Sequence, residues 1–416
     1  MAAALAAAPP NIVLILSDDH GWRDYGFMGR PEVRTPRIDR LAGEGLLFTR
    51  GYVPTSLCRP SLASIMTGLY PHRHLITGND PPGNARDAKN RAAMVEIFRK
   101  AKTIVGELGA AGYVSHQSGK WWEGECTCCG FTECMSHGDV ARGGRHGDVG
   151  LEIGRKTMQP VFDFIDRAEG KPFLLWYAPM MPHTPHNPPA RLLEKYAGRP
   201  AAEAKYLAMI EWFDETVGQL VDYVEKKGLA ENTLFVYVAD NGWVQLEGQQ
   251  PLYATRAKLS PYDAGLRTPI FFRWKGRIAP RRDDVSLVSS LDIAPTVLAA
   301  AGRKAPAEWT GANLLQGAPK GRAAYGATFA HTSVDIARPA ANVKYRWMVK
   351  GNWKLIAPYE PNLAVPIWEG QPQTVWGKTV ELYDLVADPG EKTDLAGKRP
   401  EVVRSLLRDL DRWWRP

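Results

Sequence analysis

Asn11–Leu16 reads N-I-V-L-I-L and stops abruptly at Ser17-Asp18-Asp19-His20-Gly21. A strand with one wet face alternates apolar and polar residues. A run apolar on both alternations predicts a strand covered on both sides, as in the centre of a parallel sheet. Phe173–Tyr177 (FLLWY) and Leu234–Ala239 (LFVYVA) share this character, and Pro269–Trp274 (PIFFRW) is a fourth candidate. Helical spacing predicts helices over Thr35–Phe48, Lys102–Gly112, Ile153–Ala168 and Ala201–Lys227. The last carries Leu207, Ile210, Phe213, Val217, Leu220, Val221 and Val224 near one stripe, with Gly228 as its C-cap. Strands alternating with helices predict an α/β fold, a large mostly parallel sheet sandwiched by helices. After about Arg322 the pattern changes. Tyr345–Ala357 and Glu381–Val386 read as antiparallel strands around a turn at Lys350-Gly351-Asn352, and Pro400–Trp414 as a terminal amphipathic helix. The expected organisation is a large domain over 11–320 and a smaller α+β domain over 321–416, joined through the Gly-, Pro- and Ala-rich Ala305–Lys320.

Composition narrows this only a little. With 44% hydrophobic and 23% charged residues, the 416-residue chain is neither disordered nor collagen-like. No apolar run of about 18 residues is present, so no membrane-spanning helix is expected. The net charge is +7, from 52 basic and 45 acidic residues; it suits an anionic substrate. No Lys/Arg run is interleaved with aromatics, so no nucleic-acid partner is expected. Fourteen tryptophans are common in secreted carbohydrate-active proteins and in ordinary cores alike. Met1–Pro10 (MAAALAAAPP) reads like the small-residue end of a signal peptide, which points to a periplasmic or extracellular location.

Parallel strands deliver their C-terminal ends to one sheet edge, where ligands bind. The first strand ends in Asp18-Asp19 and the strand at Leu234–Ala239 ends in Asp240-Asn241-Gly242. Three carboxylates and an amide oxygen gathered there repel one another unless a cation sits among them, and all-oxygen donors select a hard ion, Ca²⁺ or Mg²⁺. Either pair alone is equally an N-cap or turn element. Ser56–Gly68 (SLCRPSLASIMTG) places Cys58 just before a predicted helix start at Pro60-Ser61. A helix N-terminus attracts anions and lowers a thiol pKa, so Cys58 is a candidate nucleophile, against the alternative of a buried structural cysteine.

These segments resemble the type I sulfatases of the alkaline-phosphatase superfamily. Cys58-Arg59-Pro60-Ser61 with Thr67-Gly68 is similar to the signature whose cysteine is oxidised to formylglycine. Asp18, Asp19, Asp240 and Asn241 match that family's calcium ligands, with residue 58 completing the metal set. Gly119-Lys120-Trp121 and Pro182-His183-Thr184-Pro185 resemble the segments carrying its first lysine and its leaving-group histidine. Lys258, followed by Tyr262-Asp263-Ala264-Gly265-Leu266-Arg267-Thr268-Pro269, resembles its second lysine segment. Leu382-Tyr383-Asp384-Leu385 and Asp388-Pro389-Gly390-Glu391 resemble its closing strand. The resemblance implies hydrolysis of a sulfate ester, such as that of a sulfated sugar or polysaccharide, with one Ca²⁺ and a formylglycine made by a maturation enzyme. It also implies that Lys120, Lys258 and the cation neutralise the sulfate oxygens, and that His183 protonates the departing alcohol.

Two positions depart from the pattern: Leu62 stands where the family has Arg, and Trp122 where it has His. Arg59, His72 and His74 are candidates to compensate, with Arg59 also a candidate for substrate binding. Trp121, Trp122, His186, Trp243 and His331 are candidates to line the pocket, each equally explained by packing. The alternatives are a phosphate or phosphonate ester hydrolase on the same scaffold, or an inactive glycan-binding relative. Cys126, Cys128, Cys129 and Cys134 cluster near His137. They fit one or two disulfides, a small metal site or free thiols, with the adjacent Cys128 and Cys129 expected to pair elsewhere rather than with each other.

Overall fold

A computed structural model describes residues 8–83, 87–139, 142, 144, 146–248, 252–366 and 376–416. The first seven residues of the predicted signal-peptide remnant lie outside them. The strands are β1 (Asn11–Ser17), β2 (Leu46–Tyr52), β3 (Val114–Gly119), β4 (Glu133–Cys134), β5 (Phe173–Ala178), β6 (Thr233–Ala239), β7 (Arg267–Trp274), β8 (Arg281–Asp283), β9 (Val288–Ser289), β10 (Ala323–Phe329), β11 (Val343–Lys350), β12 (Trp353–Pro358) and β13 (Glu381–Asp384). The first nine form one sheet in the order β4-β3-β5-β1-β6-β7-β2-β8, with β9 beside β2.

Period-2 alternation places successive residues of β1 on opposite faces. Ile12, Leu14 and Leu16 enter a core with the helices Cys58–Thr67, Ala88–Arg99, Ile104–Gly109 and Ile293–Ala300. Val13 and Ile15 enter another with the helices Pro36–Gly43, Gln159–Ala168 and Ala201–Lys226. Both faces are therefore covered, as the unbroken apolar run requires. The expected helices are present but shorter, and two expectations are overturned. Thr35–Phe48 is not one helix: Pro36–Gly43 is helical and Leu46–Tyr52 is strand. Pro269–Trp274 is a strand, but β7 runs antiparallel to both β6 and β2.

The second sheet is antiparallel, β10-β11-β12-β13. One face, with Tyr345, Trp347, Val349 and Ile356, packs on Tyr52, Val53, Tyr262 and Leu266 of the first unit. The other carries Met348, Leu355 and Leu382 against Leu406 and Leu410 of the helix Pro400–Trp413. The turn Lys350-Gly351-Asn352 is as expected, with Gly351 at φ +58°, a conformation that favours glycine.

Candidate active site

Four parallel strands, β3-β5-β1-β6, end at one edge in register, with Ser17 opposite Ala239 and Gly119 opposite Ala178. The next residues out are therefore Asp18-Asp19 and Asp240-Asn241 on neighbouring strands, Lys120 on a third and the Met180–His186 loop after the fourth. Because β7 is antiparallel, it begins at this edge, and the segment before it carries Lys258 here. Antiparallel pairing through β7 also makes β2 parallel to β6. Its exit leads to Cys58 at the first turn of a helix whose ten residues are all buried. Gly119 cannot be replaced easily: at φ +86° a Cβ would lie 1.8 Å from the Ala178 carbonyl oxygen. That close approach of β3 to β5 sets Lys120 over the edge.

Asp18, Asp19, Cys58 and His183 each offer a ligand atom within 4.8 Å of all the others. Lys120 Nζ donates to Asp18 Oδ1 at 2.6 Å and to Asp240 Oδ2 at 3.3 Å. Lys258 Nζ donates to Asp19 Oδ2 at 2.7 Å, and His183 Nε2 lies 3.3 Å from the same oxygen. Asp240 Oδ1 accepts from the Asp19 amide at 3.2 Å, and Asn241 Nδ2 donates to Asp19 Oδ1 at 2.6 Å.

Burial alone would raise the Asp18 carboxyl, but Lys120, His183 and Lys258 overcome it and hold it well below the usual carboxylate range. Burial, and then the negative Asp18, push Asp240 the other way. The shorter lysine contact goes to Asp18, so Asp240 is left the less compensated carboxylate. Burial also pushes the Cys58 thiol up to about 12, despite Lys120 and Lys258. This corrects the expectation of a helix-activated thiolate: desolvation outweighs the two nearby lysines.

The donor set fits a hard cation. Asp18 Oδ2 and Asn241 Oδ1 are buried with no hydrogen-bond donor, and a buried oxygen acceptor left without a partner is costly. A cation against them would satisfy both oxygens and relieve the carboxylate repulsion at Asp240.

Other expected site residues lie elsewhere. Arg59 does not reach the cluster: its guanidinium pairs bidentately with Glu123 at 2.8 and 2.7 Å, and it is 1% exposed. Its backbone N–H donates to Asn79 Oδ1, and the Asn79 amide meets His331 Nε2 at 3.3 Å. Trp121 is core, edge-on to Phe98, Phe131 and Trp176. Trp122 packs with Leu62 in an apolar nook with Ala63, Met66 and Trp176, and its ring lies 5.0 Å from Lys120 Nζ. His186 is buried against Tyr206 and Trp243, and burial pushes it down to about 4. His74 meets Ser64 Oγ at 2.9 Å, and His72 stacks on Trp414 and Tyr70, so each has other partners. Cys126 and Cys134 form one disulfide, as one of the readings of the cluster had it, whereas Cys128 and Cys129 are free thiols, paired neither with each other nor elsewhere. Sequence reasoning missed Asn79, Glu123 and Arg155, whose roles depend on tertiary contacts with no local signal.

Fold and site together define an alkaline-phosphatase-like hydrolase, with an acidic pocket between two lysines at the carboxyl edge of the sheet. The family model described as Sulfatase matches residues 10–303, and N-sulphoglucosamine sulphohydrolase, C-terminal, matches residues 253–369. The chain belongs to the sulfatase family, the sulfuric ester hydrolases. It is 29% identical to human N-acetylgalactosamine-6-sulfatase, over 98% of this chain and 85% of that protein. It is also 29% identical to human arylsulfatase A, over 98% of this chain and 88% of that one. The crystal structure of Ps i-CgsB in complex with k-i-k-neocarrahexaose superposes with a TM-score of 0.74 at 24% identity, covering 97% of this chain and 92% of the other.

Proposed function

We propose that the protein removes a sulfate ester from a sulfated sugar or polysaccharide, using one Ca²⁺ and a formylglycine derived from Cys58. The single observation that carries this reading is the convergence of Asp18, Asp19, Cys58 and His183 between Lys120 and Lys258. The relative's name, N-acetylgalactosamine-6-sulfatase, supports a sugar substrate. Asp18, Asp19, Asp240 and Asn241 would hold the cation beside residue 58. Bound there, the ion would supply positive charge against the sulfate oxygens, and a formylglycine at position 58 would supply the nucleophile. Lys120 and Lys258 add fixed positive charge where negative charge shifts in the transition state. His183 donates through Nδ1 to the Thr184 carbonyl at 2.6 Å, which turns Nε2 toward the cluster, where it protonates the departing alcohol. Trp122 packs beside Lys120 and shapes that wall. His186, a candidate substrate contact, instead braces the loop that carries His183.

The Cys126–Cys134 disulfide supports an exported, periplasmic or extracellular protein. No helix among the described residues is long and apolar enough to cross a membrane.

Parallel assays on an aryl sulfate, an aryl phosphate diester and a phosphonate monoester test the reading, using protein co-expressed with a formylglycine-generating enzyme. Sulfate is expected to be preferred. A preference for phosphorus gives the scaffold's other chemistry, and glycan binding with unmodified Cys58 and no turnover gives an inactive relative; either overturns the proposal.

A further inference from the structure

We propose that Arg155 is the positioning residue for His183: it clamps the loop that carries the imidazole and so sets the proton-donating atom over the site. This rests on the functional reading above. The loop after β5 reads P-M-M-P-H-T-P-H-N-P-P, with prolines at 179, 182, 185, 188 and 189. Proline has no N–H, so such a segment has few donors of its own for its carbonyls. Outside donors supply others: the Asp18 N–H reaches the Met181 carbonyl, and one side chain reaches three more.

Arg155 Nη2 donates to the Met180 carbonyl at 2.8 Å and to the His183 carbonyl at 3.1 Å. Nη1 donates to the Pro185 carbonyl at 3.4 Å and to Asn187 Oδ1 at 2.6 Å. The guanidinium thus grips the backbone before, at and after His183, and its plane lies 5.9 Å from the Trp212 ring. Arg155 sits in a tight turn where the Gly154 amide donates to the Thr157 carbonyl at 2.9 Å, just before the helix Gln159–Ala168. The clamp is therefore anchored to a helix that packs on the sheet; the loop it holds is tied to the end of β1 at one point, where the Asp18 N–H donates to the Met181 carbonyl at 3.0 Å, and Arg155 holds the carbonyls on either side of that point.

A planar fork with donors on two nitrogens can hold several carbonyls at once; an ammonium on a flexible stem concentrates its donors at one point. Arg155 donates no hydrogen bond to the acidic cluster and only its charge reaches Asp18, so its hydrogen bonds act on the site through the His183 loop. Met180 at φ +51°, a conformation unusual for a side-chain-bearing residue, is one of the clamped positions, consistent with a loop held in shape from outside.

The test uses full-length matured protein with Arg155→Gln, Arg155→Lys, His183→Ala and the Arg155→Gln/His183→Ala double variant. Each is assayed on a sugar sulfate, whose alcohol needs a proton to leave, and on para-nitrophenyl sulfate, whose phenolate does not. Arg155→Gln is expected to lower kcat on the sugar sulfate about 100-fold, the lower range of a general-acid contribution, and kcat on the aryl sulfate less than about 3-fold. Arg155→Lys should fall between, and Arg155→Gln should add nothing in the His183→Ala background. Equal loss on both substrates, or a further loss in the double variant, overturns the proposal. Asn187→Ala removes one anchor and keeps the Arg155 charge; should Arg155→Gln not fold, it must show the same substrate bias at smaller amplitude, and its absence overturns the proposal. If the parent protein hydrolyses no sulfate ester, the functional reading falls. The clamp is then judged by the crystal structure of Arg155→Gln, where an unmoved His183 loop overturns it.

Discussion

Two kinds of position meet at the sheet edge. Asp18, Asp19, Asp240 and Asn241 follow directly from β1 and β6, two adjacent central strands paired over seven residues, so their backbone is fixed by the core. Cys58, Lys120 and His183 arrive on a helix start and two loops, and their placement depends on braces: Arg59–Glu123 between the Cys58 helix and the segment after Lys120, and Arg155 under the His183 loop. On the proposed reading the strand-borne group would gather the cation and the braced group would carry the reacting atoms. The site thus divides into a rigid electrostatic floor and walls tied in place by the buried Arg59 and the half-buried Arg155.

The largest effect should come from breaking the floor. Asp240→Ala removes a carboxylate that accepts from the Asp19 amide and from Lys120. Bound calcium, measured by elemental analysis, should vanish. Turnover should fall roughly a thousandfold or more, at or beyond what loss of a single electrostatic group costs. Retained calcium and rate would contradict the floor's assignment.

Breaking a brace should act first on stability. Glu123→Gln leaves the Arg59 charge buried without its partner, at a cost of about 3–5 kcal/mol in denaturant unfolding. An unchanged midpoint would mean that the pair holds nothing together.

A carboxylate remote from the edge sharpens the comparison with the smallest effect. Asp214 accepts from the Arg37 and Ile38 amides at the start of the helix Pro36–Gly43, and burial raises its pKa from 3.8 to about 7. The native state therefore binds the proton more tightly than the unfolded chain. Its contribution to stability is present below the unfolded value and is lost as pH rises through about 7. Asp214→Asn should flatten the stability-against-pH curve over that window while leaving kcat unchanged. An unaltered curve would remove Asp214 as the source.

The floor was legible because N-I-V-L-I-L and L-F-V-Y-V-A are apolar on both faces and stop at acidic residues. Of the walls, Cys58 was legible as a candidate from its place before a helix start, while Lys120, Lys258 and His183 were legible only through the family resemblance, since a lone Lys or His says little by itself. β3 escaped notice because V-S-H-Q-S-G is polar. Two of its buried side chains find backbone carbonyls, Gln117 that of Gly119 and Ser118 that of Trp176 on β5. The direction of β7 was hidden for a different reason, since periodicity reports which faces are covered but not which way a strand runs. The braces were illegible because Arg59 and Arg155 look like any other arginine until the fold brings Glu123 or a proline-rich loop alongside.

The most direct measurement is a crystal structure of the matured protein grown with calcium. The account predicts one ion held by Asp18, Asp19, Asp240 and Asn241, touching the oxidised residue 58, with Asp18 Oδ2 and Asn241 Oδ1 among its ligands. Density without an ion, with Lys120 and Lys258 alone closing over the carboxylates and residue 58 turned away, would contradict it.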